Sequence, residues 1–435
     1  MSSDRFGLSV TTTSARALAL YKDAVDRILS ANVGAEALLA EAIEIDPGFA
    51  LSHIALARSA QLHGRMDEAK RAAARANACA AASSAREQRH VEALTFSING
   101  EPARAMAAVE AHMRDYPRDA LVLSLALGVY GLIAFSGRAD HHEAQRALLD
   151  GLAPRWGEDW WFLGFLGWSR VETGDPRGGT EILEHALALN PRNAHAAHAR
   201  THARVELGET AEGIAFLTAW LRDYDPAAQL HCHFNWHLAL FELDLGAPER
   251  AMARYRAAMR PAVARCAPMA TLADAASFLW RCELLDAGPR PLPWEEVAEF
   301  AERLFSRAGL AFADLHAAMA EGATHAAASL ESRIGELERL VSEGKLPQGR
   351  VVPTLCRGLR ALAQREPEKA ADLLAAAMPD LTRVAGSHAQ REVFEDTLIV
   401  ALIRCRRRGR ARELLTERLA RRPRAQDAAW LAATG

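Results

Sequence analysis

The stretch LHCHFNWHLALFELDLG, residues 230–246, carries three histidines and a tryptophan at the start of an amphipathic helix. His233 and His237 are four residues apart, so their imidazoles lie on one helix face, one turn apart. His198 and His202 repeat this spacing in the preceding segment. Imidazole titrates near neutral pH and binds transition metals, so two such pairs could move protons or hold a metal ion.

Further polar residues follow at helical spacing. Asp274, Ser277 and Arg281 lie on one stripe in LADAASFLWRCELL, and FADLHAAM carries an aspartate and a histidine. Candidate catalytic residues are His198, His202, His233, His237, Asp274, Asp314 and His316. The four histidines of the two helical pairs are also candidate metal ligands. Candidate ligand-binding residues are Trp161, Trp168, His195, Trp236, Ser277, Arg281, Gln390 and Arg391.

These residues need elements that bring them together, and a repeat of paired helices provides them. Glycines predicted to lie in turns recur every 34 to 38 residues, at Gly64, Gly100, Gly137, Gly174, Gly208 and Gly246. This period, with small residues inside each helix, is typical of tetratricopeptide repeats. No sustained period-two alternation predicts strands. The predicted fold is all-α, a tetratricopeptide-repeat-like α-solenoid of antiparallel helix pairs.

The repeat also assigns faces to the helices. In this superfamily the second, fifth and ninth positions of each first helix line the concave surface. Counting back from the turn glycine as position fifteen, these positions are Trp161, Gly164, Trp168; His195, His198, His202; and His233, Trp236, Leu240. The histidines and tryptophans are therefore predicted to share one groove.

Domain boundaries follow from where the repeat weakens. We expect an N-terminal segment and first helix over 1–35, repeats over 36–288, and an irregular helical array over 289–435 that packs on the repeats. LLDAGPRPLPWEEV marks the break, and Gly322 and Gly409 are expected turn positions in the last part. The pair Ser387 and Gln390 has the spacing of a capping box, which is a structural alternative to a ligand-binding role for Gln390.

Composition restricts the class of protein. Half of the 435 residues are hydrophobic and the net charge is −3, so we expect no nucleic-acid or membrane partner. The N-terminus lacks the basic and apolar regions of a signal peptide, and no apolar run is long enough to span a bilayer. The six cysteines are dispersed, which favours a reducing compartment over a disulfide framework. We therefore expect a cytoplasmic protein.

The chain resembles the tetratricopeptide repeat protein 38 family nearly end to end. The resemblance rests on GLSVTTTSARALALY, ALALNPRNAHAAHARTH, LHCHFNWHLALFELDLGAPERAM, ADAASFLWR, FADLHAAMA and GSHAQREVFEDTLIVAL. It implies a helical-repeat fold and a shared set of polar residues without implying a reaction. Arg204 stands where the family has another histidine, and the turn after Arg281 is two residues longer.

Three functions remain open at this point, and with them whether the protein is an enzyme. The favoured one is a histidine- and tryptophan-lined pocket that binds a small polar or anionic molecule, with the histidines as acid and base and Arg281 and Arg391 gripping an anion. A second is a metal-dependent enzyme in which histidines and carboxylates hold zinc, iron or manganese. The third is a groove that binds a peptide or protein without chemistry. The remaining histidines are expected to be surface or capping residues: His53, His63, His90, His112, His141, His142, His185 and His325.

Overall fold

The structure, a computed structural model, describes residues 2–288 and 290–435. Within them the chain is almost entirely helical, with one two-stranded antiparallel ribbon in which Ser2 pairs with Val10 and Ser3 with Ser9. The predicted all-α class is therefore confirmed. Met1 and Pro289, the latter at the predicted domain boundary, lie outside the described residues. The boundary itself stays a prediction.

The helices of the first half are α1 Ala15–Leu29, α2 Ala35–Ile45, α3 Ala50–Leu62, α4 Met66–Ala80, α5 Ala85–Ile98, α6 Pro102–Asp115, α7 Ala120–Leu123, α8 Leu132–Phe135, α9 His141–Trp156, α10 Trp160–Glu172, α11 Pro176–Leu189 and α12 Ala194–Leu207. The strands are β1 Ser2–Ser3 and β2 Ser9–Val10.

The helices of the second half are α13 Thr210–Trp220, α14 His231–Asp244, α15 Pro248–Arg254, α16 Pro268–Leu284, α17 Trp294–Phe305, α18 Ala311–Ala323, α19 Ala327–Ser342, α20 Val351–Ala363, α21 Pro367–Ala377, α22 His388–Arg404, α23 Arg408–Arg421 and α24 Ala425–Ala433. Short 3₁₀ segments cover Leu221–Asp223 and Met378–Val384, and a π-helical turn covers Tyr255–Met259.

The chain divides into two compact units. Unit 1 contains the residues up to Ala134, His142–Arg200 and Ala227–Leu230, and unit 2 contains Phe135–His141, Thr201–Pro226 and His231–Gly435. Each unit has its own apolar core: Trp161 and Phe162 are fully buried in unit 1, and Trp236 and Phe394 in unit 2. The boundary between the units passes through α12.

Sequential helices pack as antiparallel pairs, for example α3 with α4 and α10 with α11 in unit 1, and α20 with α21 in unit 2. Small residues permit the close approach. A Cβ added to Gly167 of α10 would lie 2.5 Å from the Leu183 side chain of α11. The helix pair, which is the building block of the predicted repeat, is therefore present. The pairing follows from apolar and small residues on the facing sides of the helices.

Left-handed residues close the turns between the paired helices. The six glycines predicted for this role, from Gly64 to Gly246, all have positive φ. After them, residues other than glycine take the corresponding left-handed position just after the first helix of each pair, at intervals of 39 to 41 residues: Asp286, His325, Arg365 and Arg406. Two predicted turn glycines were wrong, because Gly322 lies inside α18 and Gly409 inside α23.

The repeat that ends at Gly137 lacks a continuous first helix. Its segment LVLSLALGVYGLIAF is covered only by the four-residue helices α7 and α8. Gly128 between them adopts a left-handed conformation with φ of 81°. Its N–H donates to the Gln145 side chain at 2.7 Å rather than to a helical carbonyl.

Within residues 2–288 and 290–435, none of the helices is both long enough and apolar enough to cross a membrane.

Candidate functional site

Three histidines of unit 2 converge from α12 and α14. His202, His233 and His237 each offer a ring nitrogen within 4.8 Å of those of the other two. The rings of His202 and His237 meet edge to face with centroids 4.6 Å apart, and those of His233 and His237 at 4.8 Å. All three side chains are buried. The structure therefore brings together three of the four predicted metal ligands inside one unit.

His198 is the fourth predicted ligand, and it precedes His202 by one turn on α12. The four-residue spacing places both on one face of a continuous helix. Within unit 1 the His198 ring stacks on Trp168 with centroids 5.6 Å apart. His195, one turn earlier, contacts the Phe165 ring. Trp161 is 1% exposed and packs against other aromatic rings of the unit 1 core, so its main role is structural.

The orientation of His233 is set by Asp274 on α16. The two are 2.8 Å apart, Nδ1 to Oδ1, so Nε2 of His233 is the ring nitrogen that does not contact Asp274. Asp274 is 1% exposed, and its other oxygen lies 3.6 Å from the Cys232 sulfur. Hydrogen bonding to Cys266 and burial raise the pKa of the Cys232 thiol well above its usual value. A carboxylate behind an imidazole is the common arrangement of metal-binding histidines.

Trp236 fixes the neighbouring part of α14. Its ring stacks on His233, with centroids 5.0 Å apart and planes within 12°. Its indole N–H donates to Ser277 Oγ at 3.0 Å. Ser277 therefore holds the tryptophan, and both belong to the packed wall of the cluster.

Arg281 makes its hydrogen bonds within the protein. Its guanidinium donates to the carbonyls of Ala389 at 2.8 Å and Ser277 at 3.4 Å and lies 5.5 Å from the Trp236 ring centroid. Burial lowers the pKa of Arg281 to about 10, although Asp396, 3.8 Å away, opposes this shift. The side chain is 3% exposed, so the structure gives it a role in joining α16 to α22 instead of an open anion site.

His316 on α18 is buried, and its Nδ1 donates to the Phe312 carbonyl at 2.6 Å. Burial lowers the pKa of His316 to about 4, even though Asp274 acts in the opposite direction. The ring is therefore neutral at pH 7, with Nδ1 protonated and Nε2 carrying the lone pair.

Asp314 binds Arg333 and the Gly309 backbone instead of facing the side of α18 on which His316 lies. Its carboxylate accepts from Arg333 on α19 at 2.7 Å and from the Gly309 backbone N–H at 2.9 Å. Arg333 also binds Glu321, so these groups form a buried ion network. Burial raises the pKa of Asp314 in spite of Arg333. Asp314 and His316 are two residues apart on a helix, which explains why the first faces away from the side occupied by the second.

Gln390 and Arg391 begin α22. Gln390 accepts from the Ser387 backbone N–H at 3.0 Å, while the Ser387 hydroxyl accepts from the Gln390 N–H at 3.2 Å. This is the predicted capping box, so the structural alternative for Gln390 is confirmed. Arg391 donates to the Gly386 carbonyl. Both residues therefore stabilise the start of α22.

A second buried cluster in unit 1 was missed by the sequence analysis. His90 and His112 each lie 2.9 Å from the Asp119 carboxylate, and Arg86 lies 3.0 Å from it. Burial would raise the pKa of Asp119, but these neighbours hold it well below its usual value. The expectation that His90 and His112 are surface or capping residues was wrong, since they are 1% and 0% exposed. The available signal was the four-residue spacing of Arg86 and His90.

Three other histidines assigned to the surface or to caps are also buried: His53, His141 and His142. His53 lies 3.0 Å from the Pro47 carbonyl, a local contact at the start of α3. His142 lies 3.5 Å from the buried Glu172 carboxylate. These positions show that helical periodicity alone does not separate a buried histidine from an exposed one.

The chain matches no protein-family model. Among solved structures it is similar to a tetratricopeptide repeat protein from Parabacteroides merdae, with 15% identity, 73% of this chain and 98% of that chain covered, and a TM-score of 0.33. Human IFIT1 with m7Gppp-AAAA shows 13% identity, 94% and 91% coverage and a TM-score of 0.43. Yeast Tom70 shows 14% identity, 96% and 94% coverage and a TM-score of 0.33.

Proposed function

We propose that this protein binds a divalent transition-metal ion through His202, His233 and His237. The observation that carries the proposal is the buried Asp274 carboxylate on Nδ1 of His233, an imidazole that meets His237 of its own helix and His202 of α12. Imidazole nitrogens are ligands for zinc, iron, copper and nickel. A tetrahedral zinc site separates its nitrogen ligands by about 3.3 Å, so donors within 4.8 Å could bind after small side-chain rotations.

Charge supports the same conclusion. A buried carboxylate is stable when it is paired with a cation or contributes to a metal site. Asp119 in unit 1 has Arg86 as its cation. Among the described residues, the ion-pair partner of Asp274 is His233, which carries a full positive charge only when protonated. A dication on the far nitrogen of His233 would provide the missing charge.

The metal-free pocket for an anion is less well supported. Its expected anion-binding groups were Arg281 and Arg391, yet Arg281 binds two backbone carbonyls and Arg391 binds one. Gln390 is engaged in the capping box of α22. A ligand would have to break these bonds before it could use the same groups, and each loss would leave a buried donor unsatisfied.

Three imidazole ligands leave a fourth position on a tetrahedral ion. In catalytic zinc sites that position holds water, whose pKa the ion lowers toward neutrality. We infer a hydrolytic metal site of this kind. Asp314 has no part in it.

The family assignment is part of this proposal. The two histidine pairs and the segments around Asp274 and Arg391 resemble the tetratricopeptide repeat protein 38 family, and we propose that the chain is a member. We also propose that the substrate is a small polar molecule and that the protein is cytoplasmic.

The test is metal content. Protein expressed without a histidine tag is purified without chelator and measured by elemental analysis, and its cobalt-reconstituted form is measured by visible absorption. We expect close to one zinc, iron or manganese per chain, and cobalt bands typical of nitrogen ligation. His202→Ala and His237→Ala should each remove both signals, whereas the exposed His185→Ala should retain them.

His198→Ala should leave the metal content and the cobalt bands unchanged, because His198 is not among the three proposed ligands. The proposal is wrong if the folded wild-type protein contains no metal and binds neither zinc nor cobalt on dialysis against an excess.

A further inference from the structure

Two cysteines lie together at the first turn of α14. The sulfur of Cys266 accepts the backbone N–H of Cys232 at 3.2 Å. Cys232 is buried, whereas Cys266 is half-buried in the connection between the π-helical turn Tyr255–Met259 and α16. Both are free thiols. One thiol is therefore reachable from solvent, and the other lies directly behind it.

Cys266 is the more accessible of the two thiols, and its sulfur already contacts the first turn of α14. A partly exposed thiol is the one that a peroxide in solution reaches first. Cys232 has a different environment, because it is buried and its sulfur lies 3.6 Å from Oδ2 of the buried Asp274. The two thiols therefore differ in access.

We propose that Cys232 and Cys266 form a reversible disulfide when the protein meets a hydroperoxide. The Cys266 sulfur attacks the peroxide, the O–O bond breaks, and a sulfenic acid forms with release of water or an alcohol. The Cys232 sulfur then attacks the Cys266 sulfur, the S–S bond forms, and the hydroxyl leaves as water with the thiol proton. Two thiols lose two electrons, the peroxide gains them, and a dithiol reverses the step.

The local backbone permits this bond. A disulfide needs Cβ atoms about 3.5–4.5 Å apart, and an N–H to sulfur contact already places the two residues side by side. Cys266 lies outside regular helix, where a small backbone shift costs little. Oxidation also removes the S–H group that faces Asp274, the carboxylate that orients His233. The modification thus adjoins the histidine cluster, but it does not require a metal there.

Trypsin separates the two cysteines and makes the test direct. Cleavage after Arg222 and Arg250 gives a peptide that contains Cys232, and cleavage after Arg265 and Arg281 gives one that begins with Cys266. The full-length protein is treated with hydrogen peroxide and quenched in acid, and its free thiols are alkylated before digestion. We expect loss of two thiols and a disulfide-linked pair of peptides 223–250 and 266–281, both reversed by dithiothreitol.

Cys266→Ser should abolish the linked pair and leave Cys232 unoxidised under the same treatment. Cys405→Ser, at another half-buried cysteine, should leave the linkage intact. Three results would overturn the proposal: oxidation of Cys266 to sulfinic acid without linkage, equal reactivity of Cys405, or oxidation of Cys232 in the Cys266→Ser variant at the wild-type rate. Metal content does not enter these readouts, so this experiment and the metal test fail independently.

Discussion

The substitution Asp119→Asn removes one negative charge from the buried cluster of unit 1 and preserves the shape of the side chain. Asp119 is 3% exposed and receives Arg86 at 3.0 Å and the two histidines at 2.9 Å. These contacts join α5, α6 and the start of α7. The asparagine keeps one oxygen as an acceptor, so the principal loss is the counter-charge of Arg86.

The size of the effect follows from the burial of Arg86, whose side chain is 6% exposed. Removing one partner of a buried ion pair costs about 3–5 kcal/mol, because the other charge remains uncompensated away from water. We expect the free energy of local opening of this region to fall by that amount. Because each 1.36 kcal/mol is a factor of ten, amide exchange should accelerate by about 150- to 5,000-fold.

Hydrogen exchange with mass spectrometry at neutral pH measures this directly in peptides from α5 and α6. It avoids assigning one unfolding free energy to a chain with two units. The matched control is Asp115→Asn, because Asp115 pairs with Arg89 at 2.6 Å between the same two helices but at an exposed site. The control should change exchange by less than about threefold, as exposed pairs contribute little. Similar effects of the two substitutions would refute the reasoning.

The pH dependence of this effect has a definite sign. The pKa of Asp119 is held well below its usual value in the folded protein, against about 3.9 in an unfolded chain. The folded state therefore releases the proton more readily, and the stabilisation is fully present above the unfolded pKa. The difference between wild type and Asp119→Asn should persist from neutral pH down to about pH 4 and shrink only below it.

Further predictions concern single side chains. Because burial lowers the pKa of His316 to about 4, unit 2 should lose protection from hydrogen exchange as pH falls from about 6.5 to 4; His316→Gln should flatten this loss, and the exposed His185→Gln should not. Gly335→Ala in α19, where an added Cβ meets nothing within 4 Å, should stabilise the helix by about 0.5–1 kcal/mol, seen as slower hydrogen exchange in α19. Gly358→Ala in α20, where the Cβ would lie 2.8 Å from Leu374, should destabilise by about 1–3 kcal/mol, and equal effects of the two substitutions would contradict the packing. Ser387→Ala should cost about 0.5–2 kcal/mol through loss of the capping box, seen as faster exchange at the start of α22 and absent from α20.

The repeat can be recognised in the sequence where glycine occupies its turns, and it is harder to recognise where other residues occupy them. The turns from Gly64 to Gly246 could be located because glycine adopts positive φ without strain. After residue 246 the same turns use Asp286, His325, Arg365 and Arg406, residues that adopt this conformation less readily. Surrounding structure imposes the conformation there, so sequence inspection assigned the turns to nearby glycines that are helical.

The local contacts of the candidate site were predictable only in part. The spacing of His233 and His237, and of His198 and His202, follows from the α-helical period, and so does the capping box at Ser387. Arg281 binds Ala389 of α22, which is 108 residues away along the chain. Asp314 binds Arg333 of α19, which is 19 residues away. Pattern reasoning treats such polar side chains as available, although tertiary contacts have already used their hydrogen bonds.

The sequence by itself determined the helical class, the pairing of helices through small residues, and the face on which each histidine pair lies, because these depend on contacts within one or two turns. Only the tertiary structure decided which polar groups meet. It placed Asp274 behind His233 and sent Asp314 to Arg333. It also buried His90 and His112 around Asp119. The reason is physical: a buried charge must find its partner in space, and the distance along the chain to that partner leaves no periodic mark in the sequence.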